Sequence, residues 1–536
     1  MSIKKVATYF LFSLSALMIG CTKLDERFRG DLTDQQIGAD AANTSALLRG
    51  VYNSMMFPFT SRLVVFPLQE FSSDEMIAPI RGNDWGDNDL WRVFHLQNWT
   101  PYSPKVTECF NTLNSISYAA TDLLRYRPKK QEAAEARFIR AYMMYLLLDM
   151  FNQVPYRDPG ESLVQASRVR TGTDALDYII SELDTIKNDL PLGPAPAYQA
   201  NQYAAKFLLM KCFLNKAVFI NRLNPLPDKT DMDKVISLAD NIIKSEAYEL
   251  SDNYFRNFAP DNTERSQENI FTLNCDGDIT PSNFSFFAWI ITLHYDQYPA
   301  YDFSGANGFT TLSDFYDKFD AADIRRGTVY KFNGNPVNIG NHVNVGFLVG
   351  QQYNLDNPTN PNDSLFDHHS NPLAPLFYTS EVHNIEGGPN KGRAGIRGLK
   401  YYPDFQNQNY YSPHNDFVFF RFPDVLLMKA EAILRQGTPT PGGIYGSNPT
   451  EIVNYIRTHP SRNAPKLPPV DLKSLLDERG REFWWEGWRR EDMIRFKAFL
   501  LPVQERAYES DPKYILYPIP AEQLAVNPNL VQNPGY

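Results

Sequence analysis

Apolar side chains recur at three- and four-residue spacing over two stretches of the chain, roughly 40–250 and 416–500. The stretch between them, 251–415, is rich in Asn, Asp, Gly, Pro and aromatic residues. Between Glu132 and Phe151 the apolar positions Ala136, Ile139, Ala141, Met143, Met144, Leu147 and Met150 fall nearly all round the axis, which predicts a helix buried on every side. Thr173–Leu190 places Leu176, Ile179, Ile180, Leu183 and Ile186 on one face, with Thr173 as the expected cap. Gln202–Ile220 repeats the pattern, and the proline-rich turn Pro191 to Pro196 joins the two as an antiparallel pair. Val235–Ala247 is a further amphipathic helix, Asp314 to Arg325 a helix and turn, and 478–496 one continuous helix. The period therefore gives a mostly α fold of helix pairs. The pairs resemble tetratricopeptide repeats, yet no clean consensus of about 34 residues aligns, so a generic helical bundle stays open at this point.

The first residues follow another logic. Lys4 and Lys5 precede an apolar run, Val6 to Ile19, too short to span a bilayer comfortably. It ends in Leu17-Met18-Ile19-Gly20-Cys21, which resembles the lipobox of bacterial lipoproteins, where the cysteine is acylated and becomes the mature N-terminus. Residues 1–20 are accordingly a lipoprotein signal peptide and Cys21 a membrane anchor, with Lys23, Asp25 and Glu26 resembling a surface-export signal. Residues 21–536 are left as one domain: a helical scaffold at about 40–250 and 416–500 and a loop-rich, ligand-facing insertion at about 251–415.

A net charge of −10 and a pI near 5.4 argue against nucleic acid and anionic membrane surfaces, because no helix face gathers the Lys and Arg that phosphates need. Beyond Cys21 the cysteines are Cys109, Cys212 and Cys275, an odd number without close spacing, which suggests neither a disulfide framework nor a zinc site. Cys109 and Cys212 read as buried helix thiols. The chain has no GxSxG elbow, P-loop, HExxH, CxxC or GxGxxG. No catalytic residue, cofactor or metal is assigned.

Several separated segments together resemble the SusD/RagB family of outer-membrane nutrient-uptake lipoproteins. They are Glu135-Ala136-Arg137-Phe138-Ile139-Arg140-Ala141-Tyr142 with Val154-Pro155-Tyr156, then Phe420 to Ala432 with Pro423 where the family more often has alanine, then Glu478 to Phe483 with Glu486, Gly487 and Arg489, and the end from Tyr517 to Tyr536. The resemblance implies a SusD-like fold: a helical body on tetratricopeptide-like pairs with a loop-rich face and a few short strands. It also implies capture of an oligosaccharide at the cell exterior and delivery to a SusC-like TonB-dependent transporter, without catalysis. The Arg and Glu residues of 478–489 read as a buried network between helices, and Trp484, Trp485 and Trp488 as packing.

Two segments are the candidate ligand site. Ser73-Asp74-Glu75 through Arg81 to Trp91 mixes indoles with glycine and short polar side chains, a combination that suits sugar: an aromatic plane stacks on the apolar face of a pyranose while amides, carboxylates or guanidinium groups satisfy its hydroxyls. Trp85 followed by Asn88 resembles the tryptophan and asparagine pair with which family members hold glycan, and Asp84 and Arg81 are expected to support it. Alternatively Trp85 and Trp91 simply pin the loop to the helices. The second segment, Phe284–Phe309, contributes Trp289, Tyr295, Tyr298 and Tyr301, although Trp289 equally fits a buried strand. Two other functions stay open: capture of a peptide or other non-glycan nutrient by the same mechanism, and glycan hydrolysis by carboxylates among Asp84, Asp87 and Asp89, which would need two held about 5–10 Å apart.

Overall fold

In the computed structural model the described residues are 43–275, 290–297, 304–331, 341–354, 360, 362–404 and 413–536, and residues 43–536 form one unit. The signal peptide and Cys21, like Trp289, Tyr298 and Tyr301, lie outside the described residues.

The helical period becomes a stack in which each helix packs on the next. Its members are α1 (Thr44–Ser54), α2 (Pro104–Leu123), α3 (Lys130–Phe151), α4 (Gly172–Ile186), α5 (Gln202–Ile220) and α6 (Lys229–Lys244), continued by α7 (Phe422–Leu434) and α8 (Pro449–Thr458). Helix α3 is buried all round from Phe138 to Phe151 because α1, α2, α4 and α5 pack on it. Each fully buried Leu, Met or Phe there contributes about 1.5–3 kcal/mol. Helix α5 has the bounds the period predicts and starts where the Asn201 side chain accepts hydrogen bonds from the N–H groups of Tyr203 and Ala204. Helix α4 departs from expectation at its start: the cap position is Thr171, not Thr173, since the chain enters from a strand, Arg168–Thr171, that already sets the approach. Helix α6 starts at Lys229, six residues before the first apolar position of the predicted helix, because Asp228 caps it. Cys109 and Cys212 are buried, in α2 and α5.

The segment 478–496 is not one helix. It divides into α9 (Leu472–Phe483) and α10 (Arg489–Arg495), with Trp485 and Gly487 at φ of 57° and 82° breaking the turn between them. The break sends Glu478 and Glu482 into a buried network. Glu482 takes Arg462 at 2.6 Å, Arg421 at 2.9 Å and Arg325 at 3.0 Å. Arg421 also reaches Glu268 at 2.8 Å and Glu486 at 2.7 Å, and Glu478 holds Arg325 and Arg457 at 2.8 and 2.6 Å. Trp484, Trp485 and Trp488 are buried around it, as packing.

Short strands fasten the loop-rich region to the stack. Phe417–Arg421 pairs antiparallel with Asn269–Leu273, and Arg397–Leu399 with Val345–Leu348. Met76–Ile77 pairs antiparallel with Thr310–Thr311, while Ile80–Arg81 pairs parallel with Ile385–Glu386. Residues 76–81 are thus held between two distant parts of the chain, and everything that follows in the 82–91 loop is aimed from there. The helix and turn expected over Asp314 to Arg325 are a single helical turn, Ser313–Tyr316, and a second at Ile324–Arg326 that delivers Arg325 to the network.

Candidate functional site

The loop begins with a tight turn in which the backbone of Arg81 pairs with that of Asp84. Trp85, Asp87, Asn88 and Asp89 then take positive φ of 62°, 36°, 54° and 64°. Asn and Asp enter the left-handed region readily, but a bulky Trp does so at a cost on the order of 1–3 kcal/mol, which its surroundings must cover. Three side-chain bonds do this. The Trp85 indole N–H donates to the Ala306 carbonyl at 2.9 Å, the Trp91 indole N–H to Asp87 at 2.9 Å, and Arg92 forks onto Asp89 at 2.7 and 3.0 Å. The Trp85 ring packs against Phe309 at 5.7 Å and Trp91 at 6.2 Å between centroids. It reaches the backbone there because residue 308 is glycine: a Cβ would lie 2.5 Å from the indole.

The two predicted segments meet. The Tyr295 hydroxyl donates to Asp84 at 2.8 Å and Arg81 Nε donates to the Asn307 carbonyl at 2.9 Å, beside the Trp85 bond to Ala306. Asn88 stands exposed on the turn Asp87–Asp89, Asp84 is exposed, and Trp85 and Tyr295 are half-buried. Trp85 therefore pins the loop and still offers part of its ring. Trp91 is buried and serves packing alone. Burial and the neighbouring Asp84 carboxylate push the Tyr295 hydroxyl well above its usual range, so it is a fixed donor.

Arg81 does not sit at a sugar-facing edge. It is buried at 2% exposure beneath the loop, next to the fully buried Arg397, and both hold Asn307: Arg81 through the carbonyl, Arg397 Nη2 through the side-chain oxygen at 2.7 Å. Burial and then the Arg397 charge hold the Arg81 pKa well below the ordinary guanidinium range. His294 is also buried, and burial followed by Arg397 pushes its pKa down to about 3, so it is neutral. Asn307, His294 and Arg397 are positions that sequence reasoning did not select as site residues. The one trace of them is the basic, glycine-spaced run Lys391-Gly392-Arg393 leading to Arg397.

His294, Asp296 and Asp367 bring ligand atoms within 4.8 Å of one another, the spacing of a metal site. Their surroundings oppose a cation. Asp296 accepts the His368 N–H at 2.9 Å, Asp367 accepts the His369 N–H at 3.0 Å, and Arg393 Nε stands 3.3 Å from Asp367. The Arg81, Arg393 and Arg397 charges all bear on His294.

The chain is similar to several known proteins. The description "SusD family" matches residues 282–511. The starch-binding protein SusD of Bacteroides thetaiotaomicron is 25% identical over 438 residues, covering 76% of this chain and 73% of its own. SusD-like protein P2 of Formosa agariphila is 22% identical over 99% of this chain and 100% of its own. Among solved structures, a SusD superfamily protein from Parabacteroides distasonis superposes with a TM-score of 0.70 at 18% identity, covering 92% of this chain and 99% of that one. Surface glycan-binding protein A from Bacteroides thetaiotaomicron, in complex with laminarihexaose, gives 0.64 at 16% identity, with coverage of 92% and 99%. Sequence match and shared fold agree: this chain is similar to the SusD family over residues 282–511 and has the fold of these solved structures.

Proposed function

We propose that the protein is a cell-surface glycan-binding lipoprotein, anchored through Cys21, that captures an oligosaccharide or polysaccharide on the 81–91 loop and passes it to a SusC-like TonB-dependent transporter of the outer membrane. The observation that carries this reading is the bond set that zips the loop to Tyr295, Ala306 and Asn307 while leaving part of the Trp85 ring, Asn88 and Asp84 at the surface. Such a face is rigid before ligand arrives, so little conformational freedom is lost on binding. A pyranose stacks its C–H face on the indole, and Asn88 and Asp84 meet its hydroxyls. Trp289, Tyr298 and Tyr301 belong to this proposal as further ring surfaces.

Hydrolysis is the weaker reading. A glycosidase needs one carboxyl with a raised pKa to act as acid. Asp84 and Asp87 are engaged by Tyr295 and the Trp91 indole. The hydrogen bond from Arg92 holds the Asp89 carboxyl below the usual carboxylate range.

The test is affinity gel electrophoresis of the protein made without residues 1–21 against plant, fungal and host polysaccharides, with reducing-end release assayed on the same mixtures. Retardation by one glycan class that Trp85→Ala abolishes, without sugar release, is the expected result. Retardation by none transfers the reading to a peptide or other non-glycan nutrient, and sugar release overturns the non-catalytic role.

A further inference from the structure

Most other buried arginines among the described residues follow one rule. Arg325, Arg421, Arg457, Arg462, Arg479, Arg489, Arg490 and Arg495 each have a carboxylate within 2.8 Å. Arg506 has none, but four backbone carbonyls surround it. Arg81 and Arg397 break the rule. Neither has a carboxylate at ion-pair distance among the described residues, and Arg81 Nη2, Arg397 Nε and Arg397 Nη1 are buried donors without an acceptor. Their charges repel one another, and they share Asn307 as their common support.

A third donor faces the same place. The Asp296 backbone N–H donates to His294 Nδ1 at 3.1 Å, so the neutral ring carries its proton on Nε2, which is buried without a hydrogen-bond partner. The nearest carboxylate, Asp367, stands 3.5 Å away and is already held by the His369 N–H and approached by Arg393. The Tyr378 ring packs on Arg397 at 4.8 Å, and the backbone of one turn lies over both guanidinium groups. The Lys391 carbonyl accepts from Arg81 Nη1 at 3.1 Å and the Gly392 carbonyl from Arg397 Nη2 at 3.0 Å. Gly392 lies against the cluster so closely that a Cβ would stand 3.3 Å from His294 Nε2. Lys391 itself is exposed, with its ammonium group over Gly82 in the Arg81–Asp84 turn.

We propose that Arg81, Arg397 and His294 form a receptor for an anionic substituent of the captured sugar, a carboxylate or a sulfate ester, which displaces the Lys391–Gly392 turn and takes over its carbonyl contacts. This rests on the reading that the chain binds glycan, and it names the ligand class as acidic. An anionic oxygen is a stronger acceptor than a peptide carbonyl and supplies the missing charge, so the exchange is favourable. The receptor adjoins the Trp85 ring through consecutive carbonyls, Ala306 and Asn307, so a ring stacked on Trp85 has its substituent within reach. Lys391 provides the first encounter. The net charge of −10 makes indiscriminate adhesion to polyanions weak, so retention by an acidic polymer reports a specific site.

The experiment is affinity electrophoresis of the full chain in detergent against matched polymers. Polygalacturonate is compared with its fully methyl-esterified form, a sulfated galactan with its desulfated form, and laminarin and mannan serve as neutral polymers. The expected result is retention by one acidic member at least tenfold stronger than by its neutralised partner, with the carboxylate and sulfate pairs telling which anion is read. Arg397→Gln and Lys391→Gln then weaken that retention; the Lys391 change is at the surface and leaves folding untouched. Equal retention by charged and neutralised partners, or retention by laminarin or mannan alone, overturns the acidic ligand while glycan binding stands. Retention by no polymer overturns both readings.

Discussion

Two buried groups of arginines, one behind the strand Phe417–Arg421 and one beneath the 82–91 loop, are treated in opposite ways by the same fold. In the first, Arg421 touches three carboxylates and Glu482 touches three guanidinium groups, so removing any member unbalances the charge around its partners. In the second, Arg81 and Arg397 hold only carbonyl and amide oxygens, and three of their N–H groups hold nothing. The neutralised group ties two strands to helix α9 and its flanking turns and has no open valence to offer a ligand. The unneutralised one costs stability in the free protein and lies directly under the face proposed to bind. Uncompensated buried charge is a cost that a scaffold avoids; Arg506, elsewhere, offsets it with four backbone carbonyls, whereas here two such charges lie side by side.

The contrast is sharpest in a matched pair of substitutions. Arg421→Met takes one guanidinium from Glu268, Glu482 and Glu486, which keep Arg462, Arg325 and Lys400 but carry excess buried negative charge, and is expected to cost about 3–5 kcal/mol in urea denaturation. Arg397→Met removes a charge that lacks a partner and is expected to stay within about 1 kcal/mol of the parent, on either side. Equal large losses in both would break the comparison.

Stability against pH separates the network from a second carboxylate group. Burial alone would raise Glu478 and Glu431, but the guanidinium groups of Arg325 and Arg495 bring each down to about 2. Their contribution is complete above the unfolded value of 4.5 and is lost as pH falls toward 2. Glu70, beside Glu75, is raised by burial to about 7. The native state then holds a proton the unfolded chain releases, so stability falls as pH rises from 4.5 to 7. Thermal melts are expected to peak near the lower end of that window, and Glu70→Gln to flatten the decline above it. A decline unchanged in Glu70→Gln would assign it elsewhere. The smallest effect expected is that of calcium or zinc, which should leave the melting temperature unmoved, because Arg393 and two backbone N–H groups already occupy Asp296 and Asp367.

Much of the scaffold was legible in the chain itself. The all-round apolar pattern of 132–151 became the buried α3, and Gln202–Ile220 kept its bounds, because such signals are local. The 478–496 helix failed where locality failed: Trp485 and Gly487 leave helical geometry so that Glu75 and Glu70 can accept their N–H groups from over 400 residues away. The site divides in the same manner. Indoles, glycines and short polar residues marked Ser73 to Trp91 as a loop, of which the end from Gly82 is one, and Tyr295 of the second segment bonds Asp84 of the first. Arg81 bears no such mark, and its burial follows from pairing with Ile385–Glu386, some 300 positions on. Arg397, His294 and Asn307 form a cluster through tertiary pairing, which no period reveals.

The central claim is that a sugar is held on the 81–91 loop, and the measurement that tests it most directly is a crystal structure with the oligosaccharide selected by electrophoresis. The account predicts a sugar ring stacked on Trp85, its hydroxyls on Asn88 and Asp84, and no cleavage of the chain. A sugar bound away from residues 81–91 and 295–307, with Trp85 untouched, would contradict it.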